Sequence, residues 1–404
     1  MSQVDSSSNS VALEKISQSK SQFKFHGNGS EFFGIWIVNI LLSIVTLGIY
    51  SAWAKVRTNN YFYGNTEFDG DRFEYLAKPM QILIGRIIAI FALIAWSVLN
   101  SIHPIVAIVS AILLMIAVPF LAVRNTRFDA RVTRFRNVRF DFQGDYAGAY
   151  ISLLLKPLIA YAVVIGGTAA IVVGVKAISD SMMSVGIGLA VLFFVAAGVL
   201  MYAWVTVGFS QYIVNGYRYG GKAFSAKLAV REYIKIALTA AVIFAVIMVG
   251  LAAVAYASGI ASTLMAAFGG ASGEELQNNP SMLMYIFAGY FGFLLLIFIV
   301  AAYVRVRARN YLFNQTKLDG ELQLASAMTV ASFFGLILTN LLITLFTLGF
   351  GHAWVAVRTA RYMASVTAVE GDLSQFNADD HNANTSTAIA DEVADAFDIN
   401  LGII

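Results

Sequence analysis

Eight apolar segments of about 20 residues or more constrain this chain more than any other feature of its sequence. A helix needs about 20 apolar residues to cross the hydrocarbon core of a bilayer. Helices also satisfy their own backbone hydrogen bonds there, where no water is available. The pattern predicts an all-α polytopic membrane protein with six to eight membrane-embedded helical segments, at residues 32–54, 80–99, 105–123, 149–175, 183–209, 236–258, 283–304 and 333–357.

Composition excludes a soluble globular enzyme. Of the 404 residues, 58% are hydrophobic and only 13% are charged, about half of the charged share that is usual in soluble domains. The chain has no cysteine, so disulfides and thiolate chemistry are excluded. The four histidines do not cluster, and no catalytic motif is found. We therefore expect no enzymatic activity, no catalytic residue, no metal site and no cofactor.

The charge is distributed unevenly along the chain. Residues 362–404 contain eight acidic residues and no lysine or arginine, whereas the rest holds all 27 basic residues. Residues 1–22 are Ser-rich and polar, and are predicted to be disordered. The domain prediction is therefore a disordered segment 1–22, a repeat-built transmembrane domain 23–362 and an acidic tail 363–404. An apolar stripe predicts a short amphipathic helix at 385–399 in the tail.

Short strand–turn–strand segments lie between pairs of apolar segments, at residues 65–75, 137–144, 217–224 and 316–324. Asp69-Gly70 and Asp319-Gly320 each separate two alternating runs. Such pairs favour type I′ turns, in which both central residues have positive φ. Four β-hairpins are predicted.

The chain also contains an internal repeat, which the predicted hairpins share. A shift of 301 residues superposes Asn39, Thr46-Leu47-Gly48, Trp53, Arg57-Thr58 and Tyr61 on Asn340, Thr347-Leu348-Gly349, Trp354, Arg358-Thr359 and Tyr362. A shift of 250 residues superposes Arg57, Asn60, Tyr61, Thr66, Asp69 and Gly70 on Arg307, Asn310, Tyr311, Thr316, Asp319 and Gly320.

Lysines and arginines are concentrated on the hairpin side of the apolar segments, whereas the opposite loops carry essentially Lys176 alone. Cytoplasmic loops of membrane proteins carry such an excess. The β-hairpins are therefore predicted to be cytoplasmic.

Two Thr-Leu-Gly triplets, at residues 46–48 and 347–349, interrupt the first and last apolar segments. One interpretation is a spanning helix that tolerates the glycine, which gives eight spans and both termini outside. The other is a re-entrant helix–turn–helix, which gives six spans and both termini inside. The sequence leaves both open.

Four polar residues within apolar segments are candidate functional positions. Arg86 and Lys156 either snorkel to the cytoplasmic interface or belong to a buried polar pathway. Asn39 and Asn340 either form hydrogen bonds between helices or line a polar cavity.

Six arginines at short spacings lie between residues 124 and 139. Four of them fall on one helical face: Arg124, Arg127, Arg131 and Arg134. A solvated positive-inside loop explains them, and the alternative is a site for anionic lipid or an acidic partner, including the tail of this chain. The expected partners are the bilayer and its anionic cytoplasmic lipids, and no nucleic acid.

The chain resembles the YjgN family of bacterial inner-membrane proteins, whose function is unknown. The residues that carry the resemblance run from about residue 23 onward: Phe25-x-Gly27, Thr46-Leu47-Gly48-Ile49-Tyr50, Trp53-Ala54-Lys55-Val56-Arg57, Tyr61, Asn65-Thr66, Gly70-x2-Phe73-x-Tyr75 and Asp391-Glu392-x2-Asp395-x-Phe397-Asp398. The resemblance implies a multi-pass fold in the bacterial inner membrane. It brings no catalytic residue or ligand to transfer.

Two functions remain open from the sequence. Polytopic architecture with internal repeats recurs in transporters and favours a transporter or channel-like protein for a small solute or lipid. The alternative is a non-catalytic scaffold or envelope-associated protein whose cytoplasmic face docks another membrane protein.

Overall fold

The computed structural model describes residues 20–261 and 280–373, and helices dominate it. The main helices are α1 (Gly29–Val45), α2 (Ser51–Gly64), α3 (Pro79–Ile102), α4 (Pro104–Arg131), α5 (Tyr146–Ile178), α6 (Met183–Gly216), α7 (Val230–Ala257), α8 (Pro280–Asn314), α9 (Val330–Phe346) and α10 (His352–Ser365). Two π-helical stretches, Tyr150–Leu155 and Ala162–Gly166, interrupt α5.

Helices α3 to α8 are long and apolar enough to cross a membrane. At most 17% of the most apolar stretch of each span is buried in the protein. A soluble protein could not leave such large apolar faces in water, so lipid must cover them. This confirms the predicted polytopic helical protein in its coarse form.

The first and last predicted segments do not form single spans. Helix α1 is followed by a turn at residues 46–50 and by α2, which packs back against it. Helices α9 and α10 are related in the same way through a turn at residues 347–351. Both pairs begin and end at the strands that flank them, as in the re-entrant interpretation.

The strands are short and antiparallel. They are β1 (Lys20–Gln22), β2 (Lys24–Phe25), β3 (Thr66–Phe68), β4 (Asp71–Tyr75), β5 (Thr133–Phe135), β6 (Val138–Phe142), β7 (Tyr217–Tyr219), β8 (Lys222–Ala226), β9 (Thr316–Leu318), β10 (Leu322–Ser326) and β11 (Thr367–Glu370). The strand order is β1-β11-β10-β9-β8-β7-β6-β5-β4-β3-β2.

These strands form one closed, barrel-like sheet. Only Phe23 separates β1 from β2, so the two ends of the strand order belong to the same stretch of chain. The Phe23 N–H donates to the Thr367 carbonyl (3.2 Å), and β2 pairs with β3 on the other side. The expectation of separate hairpins on an all-α protein is therefore wrong, because the hairpins join their neighbours and both ends of the described chain.

Three predicted hairpins are confirmed, and the one at 137–144 is displaced. Its first strand is Thr133–Phe135, and the turn residues Arg136 and Asn137 have φ of +46° and +63°. In the first hairpin Asp69 and Gly70 have φ of +48° and +84°, as a type I′ turn requires.

The interior of the closed sheet is filled by aromatic and aliphatic side chains. The Phe73 and Phe135 rings lie 4.6 Å apart, and the Phe140 and Tyr219 rings lie 5.0 Å apart. The buried members of this sheet core are Phe68, Phe135, Val138, Tyr219, Leu318, Leu322 and Val369. The sheet is therefore a packed core and not an aqueous channel.

The ends of the chain depart from the predicted boundaries. Residues 20–22, which the sequence assigns to the disordered segment, form β1. Helix α10 and β11 extend ordered structure to Glu370, beyond the predicted start of the tail at residue 363. The amphipathic helix predicted at 385–399 lies outside the described residues.

Cysteine labelling of intact cells should test which side of the membrane the sheet occupies. The chain has no cysteine, so Glu321→Cys and Ser181→Cys each introduce a single exposed thiol, at opposite ends of the helices. If the sheet is cytoplasmic, a membrane-impermeant reagent labels Ser181→Cys at once and Glu321→Cys only after permeabilisation. The reverse pattern would place the sheet outside.

Candidate functional site

The turn between α1 and α2 satisfies its own backbone groups. The Thr46 hydroxyl donates to the Leu42 carbonyl (2.7 Å) and accepts a hydrogen bond from the Tyr50 N–H (2.9 Å). Gly48, at φ +91°, donates its N–H to the Ser43 carbonyl (2.7 Å). These bonds supply partners that backbone groups would otherwise seek in water.

The turn between α9 and α10 repeats this arrangement. The Thr347 hydroxyl donates to the Ile343 carbonyl (2.6 Å) and accepts from the Gly351 N–H (2.7 Å). The most exposed side chain of each turn is apolar, with Leu47 94% and Leu348 88% exposed. Apolar tips with satisfied backbones are suited to lipid rather than to water.

A largely apolar groove that also holds several polar side chains lies where the α1–α2 pair, the first re-entrant pair, meets α3. It has a volume of about 510 Å³, within the range of about 300–1,000 Å³ that is typical of small-molecule sites. Two of the four predicted polar positions, Asn39 and Arg86, line it together. The lining residues are Trp36, Asn39, Ile40, Ser43, Ile44, Ser51, Ala54, Lys55, Thr58, Asn59 and Arg86. We call this cavity the hairpin groove.

The Arg86 guanidinium points along the groove to the tip of the re-entrant pair. Its Nη1 donates to the Ser51 hydroxyl, and Ser51 is the first residue of α2 after the turn. Ser51 lies at the end of α2 that is remote from the sheet. Arg86 therefore extends away from the sheet, whereas snorkelling to the predicted cytoplasmic interface would take it towards the sheet. No carboxylate of the described residues forms an ion pair with Arg86.

Asn39 is buried, with 5% of its surface exposed. Its Nδ2 lies 3.4 Å from both the Ala54 carbonyl and the Thr58 hydroxyl. A carbonyl can only accept, so Nδ2 must face Ala54 and Oδ1 must point elsewhere. The Oδ1 atom is buried and has no hydrogen-bond partner, which is an unusual and costly state.

Asn340 occupies the corresponding position in the second re-entrant pair. Its Nδ2 donates to the Thr359 hydroxyl (3.1 Å), and its Oδ1 is likewise buried without a partner. Both asparagines therefore make the helix–helix contact that was one of the two sequence interpretations. Of the two, only Asn39 lines the hairpin groove.

Lys156 lies in a second polar cleft of about 430 Å³ between α5 and α6. Its Nζ lies 5.5 Å from the centre of the Trp204 ring. A methyl group on Gly208 would come within 2.1 Å of Nζ, so this glycine makes room for the lysine. Asp145 and Arg218, close to the sheet, line the same cleft.

The predicted arginine face is divided between helix and sheet. Arg124, Arg127 and Arg131 belong to α4, whereas Arg134 lies in β5. The Arg124 guanidinium lies over the Phe120 ring at 5.4 Å, and Arg127 Nε donates to the Phe142 carbonyl (3.0 Å).

Arg131 and Arg134 pair with acidic residues of neighbouring strands. Arg131 Nε donates to Asp141 Oδ1 (2.9 Å), and Arg134 Nε donates to Glu74 Oε2 (3.0 Å). An anionic lipid or the acidic tail would compete with these carboxylates. The proposed tail contacts remain a prediction, since residues 374–404 lie outside the described part of the chain.

Asp141 is buried beside Arg131. Burial by itself raises the pKa of the Asp141 carboxyl, but the hydrogen bond and charge of Arg131 outweigh it and hold this pKa below its ordinary value. A lowered pKa in the folded state gives stability above the ordinary pKa of about 4, which is lost as the pH falls through the folded value.

Arg131→Met should therefore destabilise the protein most at neutral pH. The substitution leaves the Asp141 charge buried without its partner, which costs about 3 kcal/mol at pH 7. Protonation of Asp141 removes that charge. The difference in the free energy of unfolding between wild type and variant should therefore become smaller towards pH 4.5. Thermal unfolding of the purified protein measures this difference at both pH values. Arg134→Met is the control, because its partner Glu74 is 53% exposed. If Arg131→Met lowered the stability equally at pH 7 and pH 4.5, the Asp141 charge would not be the cause of the loss.

These features define a multi-pass helical membrane protein with a closed sheet at one end of its helices and polar clefts beside it. The chain belongs to the DUF898 family, described as bacterial proteins of unknown function, which matches residues 20–396.

It is 27% identical over 363 residues to the inner membrane protein YjgN of Salmonella typhimurium (strain LT2), covering 87% of this chain and 89% of the relative. The inner membrane protein YjgN of Escherichia coli (strain K12) is 25% identical over 372 residues, covering 88% and 89%. The resemblance to the YjgN family is thereby confirmed. No solved structure matches the chain.

Of the eleven residues that line the groove, sequence reasoning singled out only Asn39 and Arg86. Lys55, Thr58 and Asn59 lie on α2 at spacings of three and four, so they share one helical face. That polar face within an apolar hairpin was the available signal. The sequence did not indicate that α3 packs beside this face of α2.

Proposed function

We propose that this protein is a transporter that moves a phospholipid-like amphipathic molecule in the bacterial inner membrane. The observation that carries the proposal is the hairpin groove, which joins cationic and polar side chains to an apolar wall. Both classes of group are needed for a molecule that has a polar head and apolar chains. The proposal involves no catalysis.

The chemistry of the groove favours an anionic head over a cationic one. Arg86 supplies a positive charge, and no carboxylate is among the lining residues. Charged side chains at membrane depth are costly and commonly mark substrate pathways. Trp36, Ile40 and Ile44 form an apolar wall against which acyl chains could lie.

The packed interior of the sheet directs the proposed path to the helices. Because the sheet core is filled by side chains such as Phe135 and Tyr219, a substrate would not pass through it. The re-entrant tips and the exposed apolar faces of the spans offer a path along the boundary between protein and lipid. A lipid can follow such a path with its chains still in the bilayer.

Orientation and internal repetition are parts of the same proposal. The sheet lies in the cytoplasm, as the lysine and arginine excess indicates. The five helix pairs are internal copies of one unit, supported by the matched Thr46 and Thr347 turns and by the paired strands that flank every helix pair.

A scaffold is the second candidate, favoured by the charged rim of the sheet. Arg136 on one turn pairs with Asp69 Oδ2 on the neighbouring turn (2.7 Å). Lys222 lies 3.2 Å from Glu321 on the next pair of turns. These ion pairs link neighbouring turns and would present a charged face to another membrane protein.

Reconstitution into liposomes tests the transport proposal. The full chain is inserted into vesicles that contain a fluorescent phospholipid, and a membrane-impermeant quencher reports how fast the inner-leaflet lipid reaches the outer leaflet. We expect wild type to accelerate this movement, and Arg86→Gln to slow it about tenfold or more through loss of a charged hydrogen-bond donor.

Arg231→Gln is the matched control, because Arg231 is exposed at the start of α7 and lies outside the groove. It should behave as wild type. Vesicles that carry wild-type protein and behave as protein-free vesicles would contradict transport and favour the scaffold.

A further inference from the structure

We infer that the cleft between α5 and α6 binds the phosphate group of a membrane phospholipid, and that Lys156 is there because the neighbouring helix lacks the arginine that other helices carry. The site lies apart from the hairpin groove, so the inference does not depend on the transport proposal. Three observations lead to it: the position of Lys156, the charge of the cleft, and the π-helical stretch before Lys156.

Four of the five helix pairs carry an arginine at one distance from the strand that follows. In the first pair, Arg57 lies nine residues before Thr66, the first residue of β3. Nine helical residues measure about 13 Å, so these arginines lie at one level, where the apolar segments end. The other three arginines, with the strand starts that they precede by nine residues, are Arg124 before Thr133, Arg307 before Thr316 and Arg358 before Thr367.

The α5–α6 pair has a glycine at this position. Gly208 lies nine residues before Tyr217, the first residue of β7. The space that a side chain would occupy there is taken by Lys156, since a methyl group on Gly208 would come within 2.1 Å of the Lys156 Nζ. The ammonium of α5 therefore stands where the other pairs have a guanidinium.

Lys156 also takes over the aromatic neighbour of the missing arginine. The Arg124 guanidinium lies 5.4 Å from the centre of the Phe120 ring, four residues earlier in the same helix. Lys156 Nζ lies 5.5 Å from the centre of Trp204, which is four residues before Gly208. Aromatic side chains at such levels mark the boundary between hydrocarbon and headgroups. The five aromatic residues at this position are Trp53, Phe120, Trp204, Tyr303 and Trp354.

The cleft opens on the outer surface of the protein. Successive side chains of a strand point to opposite faces, and Tyr219 of β7 is buried in the sheet core. Its neighbour Arg218 therefore lies on the outer face of the sheet, and it lines the cleft together with Lys156. Leu155 and Ile159, within one turn of Lys156, are 51% and 40% exposed, so lipid chains can cover them beside the cleft.

The charge of the cleft fits a phosphodiester, which is a single negative charge. Lys156 and Arg218 supply two positive charges, and Asp145 is the one carboxylate among the lining residues. Asp145 accepts a hydrogen bond from the Gly148 N–H (2.7 Å) at the start of α5. Within the described part of the chain, Lys156 forms no ion pair or hydrogen bond, and Arg218 donates only through Nη1, to two backbone carbonyls. Both side chains therefore keep donors for phosphate oxygens.

Helix α5 is irregular at the residue that matters. The π-helical stretch Tyr150–Leu155 ends directly before Lys156, and Pro157, which has no N–H to donate, follows it. Such stretches are rare and frequently occur at functional sites. Basic pockets between membrane helices also commonly bind lipid headgroups on the cytoplasmic side. The irregular turn and the basic cleft therefore point to the same use.

Photocrosslinking of the purified full chain can test the site. Phosphatidylglycerol with a photoreactive acyl chain is the probe, and mass spectrometry maps the label on α5 and α6. We expect Lys156→Met, which keeps the length of the side chain, to lower this labelling about tenfold. Lys176→Met is the matched control, because Lys176 is exposed at the other end of α5, and it should be labelled as wild type.

Competition identifies the part of the lipid that is recognised. Unlabelled phosphatidylglycerol should displace the probe from the cleft. Diacylglycerol with the same acyl chains lacks the phosphate, and soluble glycerol phosphate lacks the chains. Each should require at least a tenfold higher concentration than phosphatidylglycerol. Equal competition by diacylglycerol would show that the chains alone are bound, and equal competition by glycerol phosphate would show a site for a free phosphate. Either result would overturn the inference.

Moving the cation back to α6 tests the exchange. Lys156→Ala alone should lose the labelling, and the double variant Lys156→Ala, Gly208→Arg should regain at least half of it. Gly208→Arg with Lys156 present should lower the unfolding temperature, because both side chains need the same space. Unfolding temperatures without lipid show which variants are folded.

Two further results would count against the inference. Equal labelling of Lys156→Met and Lys176→Met would remove the phosphate site, whether or not the double variant folds. A folded double variant that is labelled no better than Lys156→Ala would refute the exchange of Lys156 for an arginine. Neither result bears on movement of lipid through the hairpin groove.

Discussion

Leu47→Asp should lower the free energy of unfolding in a bilayer by about 2–3 kcal/mol, because it places a carboxylate at a tip that lipid surrounds. Leu47 is 94% exposed, so the substitution breaks no internal packing. Helix α1 has 17 residues and is about 25 Å long, which carries the tip deep into a core of about 30 Å. Denaturant titration in lipid bicelles measures the change.

Two further variants separate the effect of the surrounding lipid from other effects of the substitution at Leu47. Leu47→Met changes the side chain without adding polarity and should cost less than about 1 kcal/mol. Leu348→Asp, at the matching tip, should behave as Leu47→Asp does. If both aspartate variants were as stable as Leu47→Met, the tips would lie in water and the re-entrant arrangement would be wrong.

Phe135→Ala should cost about 3–5 kcal/mol, the range for truncating a buried aromatic side chain. Phe135 is 8% exposed, and its ring contacts those of Phe68, Phe73 and Tyr219. The small strands of the sheet have few other contacts to compensate for the cavity. Thermal unfolding in detergent measures this loss without the contribution of the bilayer.

Phe287→Ala is the matched control for the sheet core. Phe287 is 69% exposed on the span α8, so its truncation creates no internal cavity. It should change the unfolding temperature far less than Phe135→Ala does. Similar losses from the two substitutions would mean that the sheet core does not support the fold.

The parts of this fold that local sequence determines were predictable, and the parts that distant residues determine were not. Length and apolarity identified the spans, and Asp69-Gly70 and Asp319-Gly320 identified two turns. The second hairpin was displaced because its turn, Arg136-Asn137, contains no glycine. Arg134 in its first strand also follows the preceding arginines at a spacing of three residues, which is typical of one face of a helix.

The closure of the sheet and the groove both depend on non-local contacts. Strand β1 is polar and only three residues long, so nothing in it indicates a partner at Thr367–Glu370. Arg86 and Asn39 were each identifiable as polar residues in apolar segments. Their meeting in one cavity required the α1–α2 pair to turn back and pack beside α3, which periodicity alone does not determine.

The closed sheet also sets an order for biosynthesis. Lys20 pairs with Glu370, and a ribosome that adds about 5–20 residues per second takes roughly 20–70 s to synthesise the chain between them. During that time all six long helices can insert while β1 has an open edge. Unpaired strand edges recruit other strands, so a chain that terminates before Thr367 would expose both β1 and β10. Such fragments should pair with one another through these edges, and completion of the chain through β11 covers both edges.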